Sequence, residues 1–349
     1  MDGNQLEMLS KMVEQKTERT EEKQLARKAS IGERALFGHG VEIVSESADA
    51  CTVYRVPGKT GALVMNGYAV FPGITLLFND VDTCECTAEC APVSGMLEIN
   101  HCRSGRFECA IGDEYVYLGP GDLSVSRMGE AQHDSYFPLG HYEGITLLVD
   151  TARAPDCLSC ILDDVDVRPA ALLEKFSPAG GCYVTRSDAH IEHIFSELYD
   201  VPESIRTGYF KVKILELLLF LSGMEVSAEV AGKRCWSSAQ VQLAKDVCRY
   251  LTAHLESQFT IEELSARFHV SPTQLKTSFK GVYGVSVCAY VRAQRMQSAA
   301  CALRQTDAPI LEIAGRCGYD NGSKFAGAFR KLMGASPSAY RNAARNGTL

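Results

Sequence analysis

The sequence predicts an α+β chain of two unlike halves: a β-rich small barrel with following helices, then an all-α domain of two helix-turn-helix units joined by a long helix. Three observations carry that prediction. Short β-type runs at regular spacing fill Cys51 to Asp150, helical periodicity takes over after Asp188, and a whole supersecondary pattern that begins at Thr260 recurs about 50 residues later. At 349 residues the chain exceeds one typical domain of ~100–200 residues, so each half has room for its own core.

Residues 1–35 are charged, with Leu6, Leu9, Met12 and Val13 as the clustered apolar positions, and read as a polar arm. The first folded domain is expected over 36–222. Its strand candidates are Ala62–Met65, Tyr68–Phe71, Thr75–Phe78, Met96–Asn100, Phe107–Ile111, Tyr115–Leu118, Leu123–Ser126 and Ile145–Val149. Between them lie turn signals such as Phe71-Pro72-Gly73 and Gly119-Pro120-Gly121-Asp122, a pattern that implies a sandwich or a small, cupin-like barrel. After Asp188, Ile191, Ile194, Phe195, Leu198 and Tyr199 form one helical stripe. The helix from Tyr209 to Leu221 is apolar nearly all round, so it needs partners on more than one side, within its domain or on a second subunit. Residues 223–237 lack periodicity and read as a linker to a domain over 238–349.

In that last domain Thr260-Ile261-Glu262-Glu263 is a capping box that opens a short helix. A polar turn at His269-Val270-Ser271 follows, and Ser271-Pro272 opens a second helix with an N-cap serine and a first-position proline. Ile261, Leu264, Val270, Leu275 and Phe279 can meet inside, which leaves Thr273, Gln274, Lys276, Thr277 and Lys280 on a polar, basic outer face. Ile310 and Ile313 repeat Ile261 and Leu264 at an offset of 49, whereas Phe325, Phe329, Gly334, Ser336 and Tyr340 repeat their counterparts at 50, so the second turn has gained a residue. The stretch Val287–Thr306 between the units reads as one helix of ~30 Å, close to the ~34 Å between successive major-groove openings. Charge divides the same way. Residues 232–349 hold 16 Lys+Arg and 7 Asp+Glu, a surplus of nine positive charges, whereas residues 1–231 hold 19 against 36. A basic module on an acidic body is the pattern expected when one module meets phosphate.

Over roughly Gln240 to Arg341 the chain resembles the AraC/XylS family of transcription regulators. The resemblance rests on Ile261-Glu262-Glu263-Leu264-Ser265-Ala266, Ser271-Pro272-Thr273-Gln274-Leu275, Arg295, Cys317-Gly318-Tyr319 and Ser336-Pro337-Ser338-Ala339-Tyr340-Arg341. It implies base contacts from Thr273, Lys276 and Thr277 and from Gly322, Ser323 and Lys324, with Gln274, Lys280 and Arg330 completing the DNA-facing set. The family often places arginine where this chain has Thr277 and Gly327, so the usual bidentate guanine contact is absent at both positions. The resemblance further implies a homodimer that binds double-stranded promoter DNA, senses a small-molecule effector through its first domain, and recruits RNA polymerase as an activator.

Candidate effector contacts are Asn100, His101, Arg106, Tyr115 and Tyr117, placed on or beside strands of a barrel able to hold a small ligand. Cys84-Glu85-Cys86 with Cys90 is the densest thiol cluster and raises a metal- or thiol-responsive alternative, although its spacing matches no common zinc site. A barrel enzyme fused to a DNA-binding module is a remoter alternative: His133 and His141 form no His-x-His pair, and Pro57-Gly58-Lys59-Thr60 lacks the first glycine of a phosphate loop. The protein is therefore not expected to be an enzyme, and no cofactor is expected. With 14 cysteines, no apolar signal segment and no run long enough to span a bilayer, the chain reads as cytoplasmic, away from membranes.

Overall fold

The computed structural model describes residues 29–38, 40–47, 51–86, 95–111, 114–128, 135–158, 165–178, 182–226 and 235–346. They form two compact units, the first ending at Ser238 and the second beginning at Ala239.

In the first unit, helix α1 (Ile31–Phe37) starts at a capping box in which the Ser30 hydroxyl accepts the Glu33 N–H and the Glu33 carboxylate accepts the Ser30 N–H. Phe37 packs against Tyr54 at 4.7 Å between ring centroids, and Ala29 is buried in the same cluster. Among the described residues the core starts at Ala29, inside the stretch the sequence assigns to a polar arm, because a single buried alanine before a short capped helix makes no helical stripe. Leu6, Leu9, Met12 and Val13 lie outside the described residues.

Strands β1 (Glu42–Glu46), β2 (Cys51–Pro57), β3 (Ala62–Phe71), β4 (Ile74–Val81), β6 (Met96–Gly105), β9 (Asp122–Arg127), β11 (Tyr142–Asp150) and β12 (Cys182–Arg186) form one antiparallel sheet in the order β1-β2-β3-β4-β11-β6-β9-β12. Two small antiparallel sheets pair β5 (Glu85–Cys86) with β10 (Ser135–Tyr136), and β7 (Phe107–Ile111) with β8 (Glu114–Leu118) and β13 (Trp236–Ser237). The two runs expected at 62–65 and 68–71 are a single strand, β3. Gly67 continues it rather than turning it, since a Cβ there would stand 2.9 Å from the Tyr54 ring. Trp236, the end of the expected linker, pairs with Tyr115, while residues 227–234 lie outside the described residues.

The large sheet is buried on both faces, which explains the near-continuous apolar run of β11. On one face Leu97, Ile99, Ile145, Leu147 and Val149 meet α2 (Pro169–Phe176), α3 (Ala189–Leu198) and α4 (Arg206–Gly223). The opposite-parity residues Met96, Cys102, Tyr142 and Leu148 join Phe37, Met65, Leu77 and Phe137 in a second cluster. Helix α4 buries Phe210, Ile214, Leu217, Leu218 and Leu221 but leaves Val212, Leu219 and Phe220 exposed. Its buried Lys213 is neutralised by Glu197 and Glu216, each at 2.6 Å. Among the described residues no helix is long and apolar enough to cross a membrane.

The second unit is all helical: α5 (Ser238–Ala253), α6 (Ile261–Arg267), α7 (Pro272–Tyr283), α8 (Val287–Gln305), α9 (Ile310–Arg316), α10 (Gly322–Met333) and α11 (Pro337–Arg345). Helix α8 belongs to both repeats. Its first half buries Val287, Tyr290 and Val291, and Tyr290 packs on Phe279 and Tyr283 and accepts a bond from the Cys248 thiol. Its second half places Met296, Ala299, Ala300 and Leu303 in a core with Ile313, Ala314, Phe325 and Phe329.

Candidate nucleic-acid interface

The first helix-turn-helix is α6, a turn and α7. The Thr260 hydroxyl accepts the Glu263 N–H at 3.1 Å and the Glu263 carboxylate accepts the Thr260 N–H at 2.9 Å. That backbone bond holds the Glu263 carboxyl below its ordinary range. The chain reverses through His269, whose φ of 54° is the left-handed region, and the Ser271 hydroxyl then accepts the Gln274 N–H at 3.1 Å. Leu264, Leu275 and Phe279 are buried beneath the motif, with Ile261 and Val270 half-buried. Thr273, Gln274, Lys276 and Lys280 stand exposed on α7, whereas Thr277 is half-buried.

The second helix-turn-helix repeats this with changed details. Helix α9 follows Pro309 without any side-chain cap. Its turn reverses through Gly318, φ 74°, which stands 49 residues after His269, and one further residue precedes α10. The Asn321 carboxamide accepts the N–H groups of Ser323 and Lys324 at 2.9 and 3.0 Å, opening α10 with Ser323, Lys324 and Arg330 exposed and Gly322 half-buried. The repeat extends to ring packing: Phe279 meets Tyr290 edge-on at 5.5 Å, and Phe329 meets Tyr340 edge-on at 5.4 Å.

Neither reading helix contains an acidic residue, and each presents lysine or arginine outward. Helix α8 joins the two over 19 residues, ~28 Å of rise against the ~34 Å of one B-DNA turn. Such an arrangement can place two polar, cationic helices against neighbouring stretches of a polyanionic groove.

A family model described as a helix-turn-helix domain matches residues 264–343. The Right origin-binding protein of Escherichia coli is 34% identical over 102 residues, 29% of this chain, and the match spans only 35% of that relative. A longer match reaches beyond the helical domain: the arabinose operon regulatory protein of Salmonella typhimurium is 34% identical over 243 residues, covering 66% of this chain and 77% of that protein. This chain belongs to the AraC family. Among solved structures, the DNA-binding domain of AdpA, determined in complex with a target DNA, is 33% identical over 30% of this chain and 93% of its own, with a TM-score of 0.29. Family membership makes this chain an AraC-type DNA-binding transcription regulator.

The sequence-predicted effector residues of this regulator do not share one place. Asn100 and His101 are both buried but neighbours on β6, so their side chains leave opposite faces of the sheet. Asn100 accepts the Thr146 hydroxyl at 2.6 Å, and Thr146 accepts the Asn79 amide at 2.8 Å. His101, on the helix side, stacks on Phe195 at 4.2 Å and bonds the Glu192 carboxylate at 2.9 Å; its burial lowers its pKa and favours the neutral ring. Arg106 covers the Tyr117 ring at 5.5 Å, the Tyr117 hydroxyl donates to Glu108, and Tyr115 pairs with Trp236. Ser124, opposite Asn100 in the sheet and fully buried, has an oxygen with no hydrogen-bond partner among the described residues, and sequence reasoning did not single it out.

Cys84 is exposed and Cys86 buried, while Cys90 and His133 lie outside the described residues. Burial pushes the Cys86 thiol up to about 11, which keeps it protonated and a poor metal ligand or nucleophile. Two residues the sequence reading left without a structural role, Arg295 and Gln258, tie the connection between α5 and α6 to the rest of the domain, Arg295 through the Leu255 and Ser257 carbonyls and Gln258 through the Gly318 carbonyl in the second motif's turn. A signal was available: the repeat places Arg345 50 residues after Arg295.

Proposed function

We propose that this regulator is a sequence-specific activator that binds double-stranded promoter DNA through both helix-turn-helix units, recruits RNA polymerase, and answers to a small-molecule effector held by its N-terminal domain. The observation that carries the reading is the duplicated pair of acid-free reading helices on a basic domain. The N-terminal domain is read as a cupin-like barrel: its second apolar cluster draws on β1 to β6, β8 and β11 together with α1, and the Asn79–Thr146–Asn100 chain, with a Ser124 hydroxyl that has no partner among the described residues, offers polar groups suited to orienting a ligand. A homodimer is supported by exposed Val212 and Leu219 on α4, seven residues apart as in a helix-to-helix seam, with exposed Ile205 in the short turn that leads into the helix. The protein acts in the cytoplasm, by binding rather than catalysis and without a cofactor.

Mobility shifts on the promoter beside its own gene, across a salt series, test the DNA-reading part. Lys324→Ala is expected to weaken binding roughly tenfold, with a salt slope reduced by about one if its partner is a phosphate; unchanged affinity at matched salt removes Lys324 from the interface. Thermal-shift screening of small molecules tests the effector part.

A further inference from the structure

Arg295 lies midway along α8 and is 8% exposed. Its Nε donates to the Leu255 carbonyl at 2.8 Å and its Nη2 to the Ser257 carbonyl at 2.6 Å, both in the turn between α5 and α6. Its guanidinium carbon lies 6.0 Å from the centre of the Tyr319 ring, in the turn of the second helix-turn-helix. From the first turn, Gln258 donates its Nε2 to the Gly318 carbonyl at 2.7 Å. A Cβ on Gly318 would stand 2.8 Å from the Glu256 carbonyl oxygen and 2.9 Å from Arg295 Nη2, so the two turns approach backbone to backbone.

The repeat supplies an internal control. Arg345 stands 50 residues after Arg295, and Asp307 stands 50 after Ser257. Arg345 donates to the Asp307 carboxylate, so an arginine that clasps the turn before the first motif helix is part of each unit's own fold. The second clasp faces solvent, with the Arg345 side chain 54% exposed. Arg295 differs in being covered by the other unit's turn. Beside it opens a cleft of about 470 Å³ lined from both units, by Phe259, Val291, Tyr319, Asn321 and Lys324 among others. Apolar packing is interrupted there, and the polar tie spans the gap.

We propose that Arg295, Gln258 and Gly318 form a strut that sets the angle and separation of the two reading helices, so that this protein accepts its two half-sites at one spacing only. Arg295 is a positioning residue in this scheme and touches no base. The inference rests on both units reading DNA. One inserted base pair moves the far half-site by ~3.4 Å and turns it by about 34°. Binding constellations tolerate only ~0.5 Å, so a braced pair must surrender one half-site while an unbraced pair can follow the displacement.

The test uses the full chain, an operator selected by the wild-type protein from random duplexes, and the same duplex with one base pair inserted between the two protected grooves. In mobility shifts at one salt concentration the wild type is expected to lose about tenfold or more on the inserted duplex. Gln258→Ala and Arg295→Met are expected to narrow that ratio to about threefold or less, while Arg345→Met keeps it wild-type. A folded Gln258→Ala protein with the wild-type ratio overturns the strut, and so does Arg345→Met if it relaxes spacing equally. Gln258 is exposed and polar, so its variant decides the matter even if Arg295→Met fails to fold. Footprinting separates the two failures: one protected groove removes the two-groove reading itself, whereas two protected grooves with unaltered ratios remove the strut alone.

Discussion

The two helix-turn-helix units share a core and differ at their edges. Phe279 with Tyr290 and Phe329 with Tyr340 reproduce one packing geometry 50 residues apart. Around that shared core the first unit has a capping box at Thr260, a strained His269 in its turn and a four-residue connection; the second has an uncapped Pro309, a glycine in the turn and one residue more. Duplication therefore preserved what must interlock and released what meets solvent or the neighbouring unit. The reading faces diverged as well, with Gln274 answered by Lys324 and Thr277 by Gly327, so the two half-sites need not be alike in sequence.

The largest expected effect tests the shared core. Phe279→Ala and Phe329→Ala should each cost ~3–5 kcal/mol, because both rings are fully buried against tyrosine. Denaturant unfolding followed by helical circular dichroism measures both, and losses that differ severalfold would break the equivalence. The turn residues should then separate the units. Gly318→Ala is expected to cost ~1–3 kcal/mol, since φ is left-handed and the new Cβ meets the Glu256 carbonyl, whereas His269→Gly should change stability by less than about 1 kcal/mol. A harmless Gly318→Ala would mean that the turns do not hold this close approach. The smallest effects lie at the helix starts. Thr260→Ala should cost ~1 kcal/mol, and Pro309→Ser should recover a fraction of that by adding a cap the second unit lacks. Because the folded state lowers the Glu263 pKa, the box contributes fully above about pH 4.5 and fades as the pH falls below it. Glu263→Gln should flatten that acid limb of the melting curve, and an unchanged limb would assign it to other carboxylates.

Much of the DNA-reading domain was legible because its signals are local. Thr260 and Glu263 satisfy backbone groups within one turn of helix, Ser271-Pro272 marks a helix start by itself, and a one-residue gain between offsets of 49 and 50 locates the longer turn. Strands β6, β7, β9 and β11 were found near their true places because alternation and turn residues mark them. Helix α1 and strands β1, β2 and β12 were not. What makes them part of the fold is contact with distant partners rather than a local pattern, as Phe37 has with Tyr54. The effector residues were grouped by nearness in sequence, which in a strand sends Asn100 and His101 to opposite faces.

By itself the sequence determined that this protein carries two copies of a helical reading unit on a basic domain, since caps, turns, periodicity and charge are properties of residues a few positions apart or of simple composition. Only the tertiary structure decided the strand order of the large sheet, the burial of His101 and its stacking on Phe195, and the difference between two arginines that look alike in the repeat. Arg295 and Arg345 occupy equivalent positions, yet one is buried beneath the other unit's turn and one is open to water. Burial depends on what lies opposite in space, and for Arg295 that is Tyr319, 24 residues further along the chain.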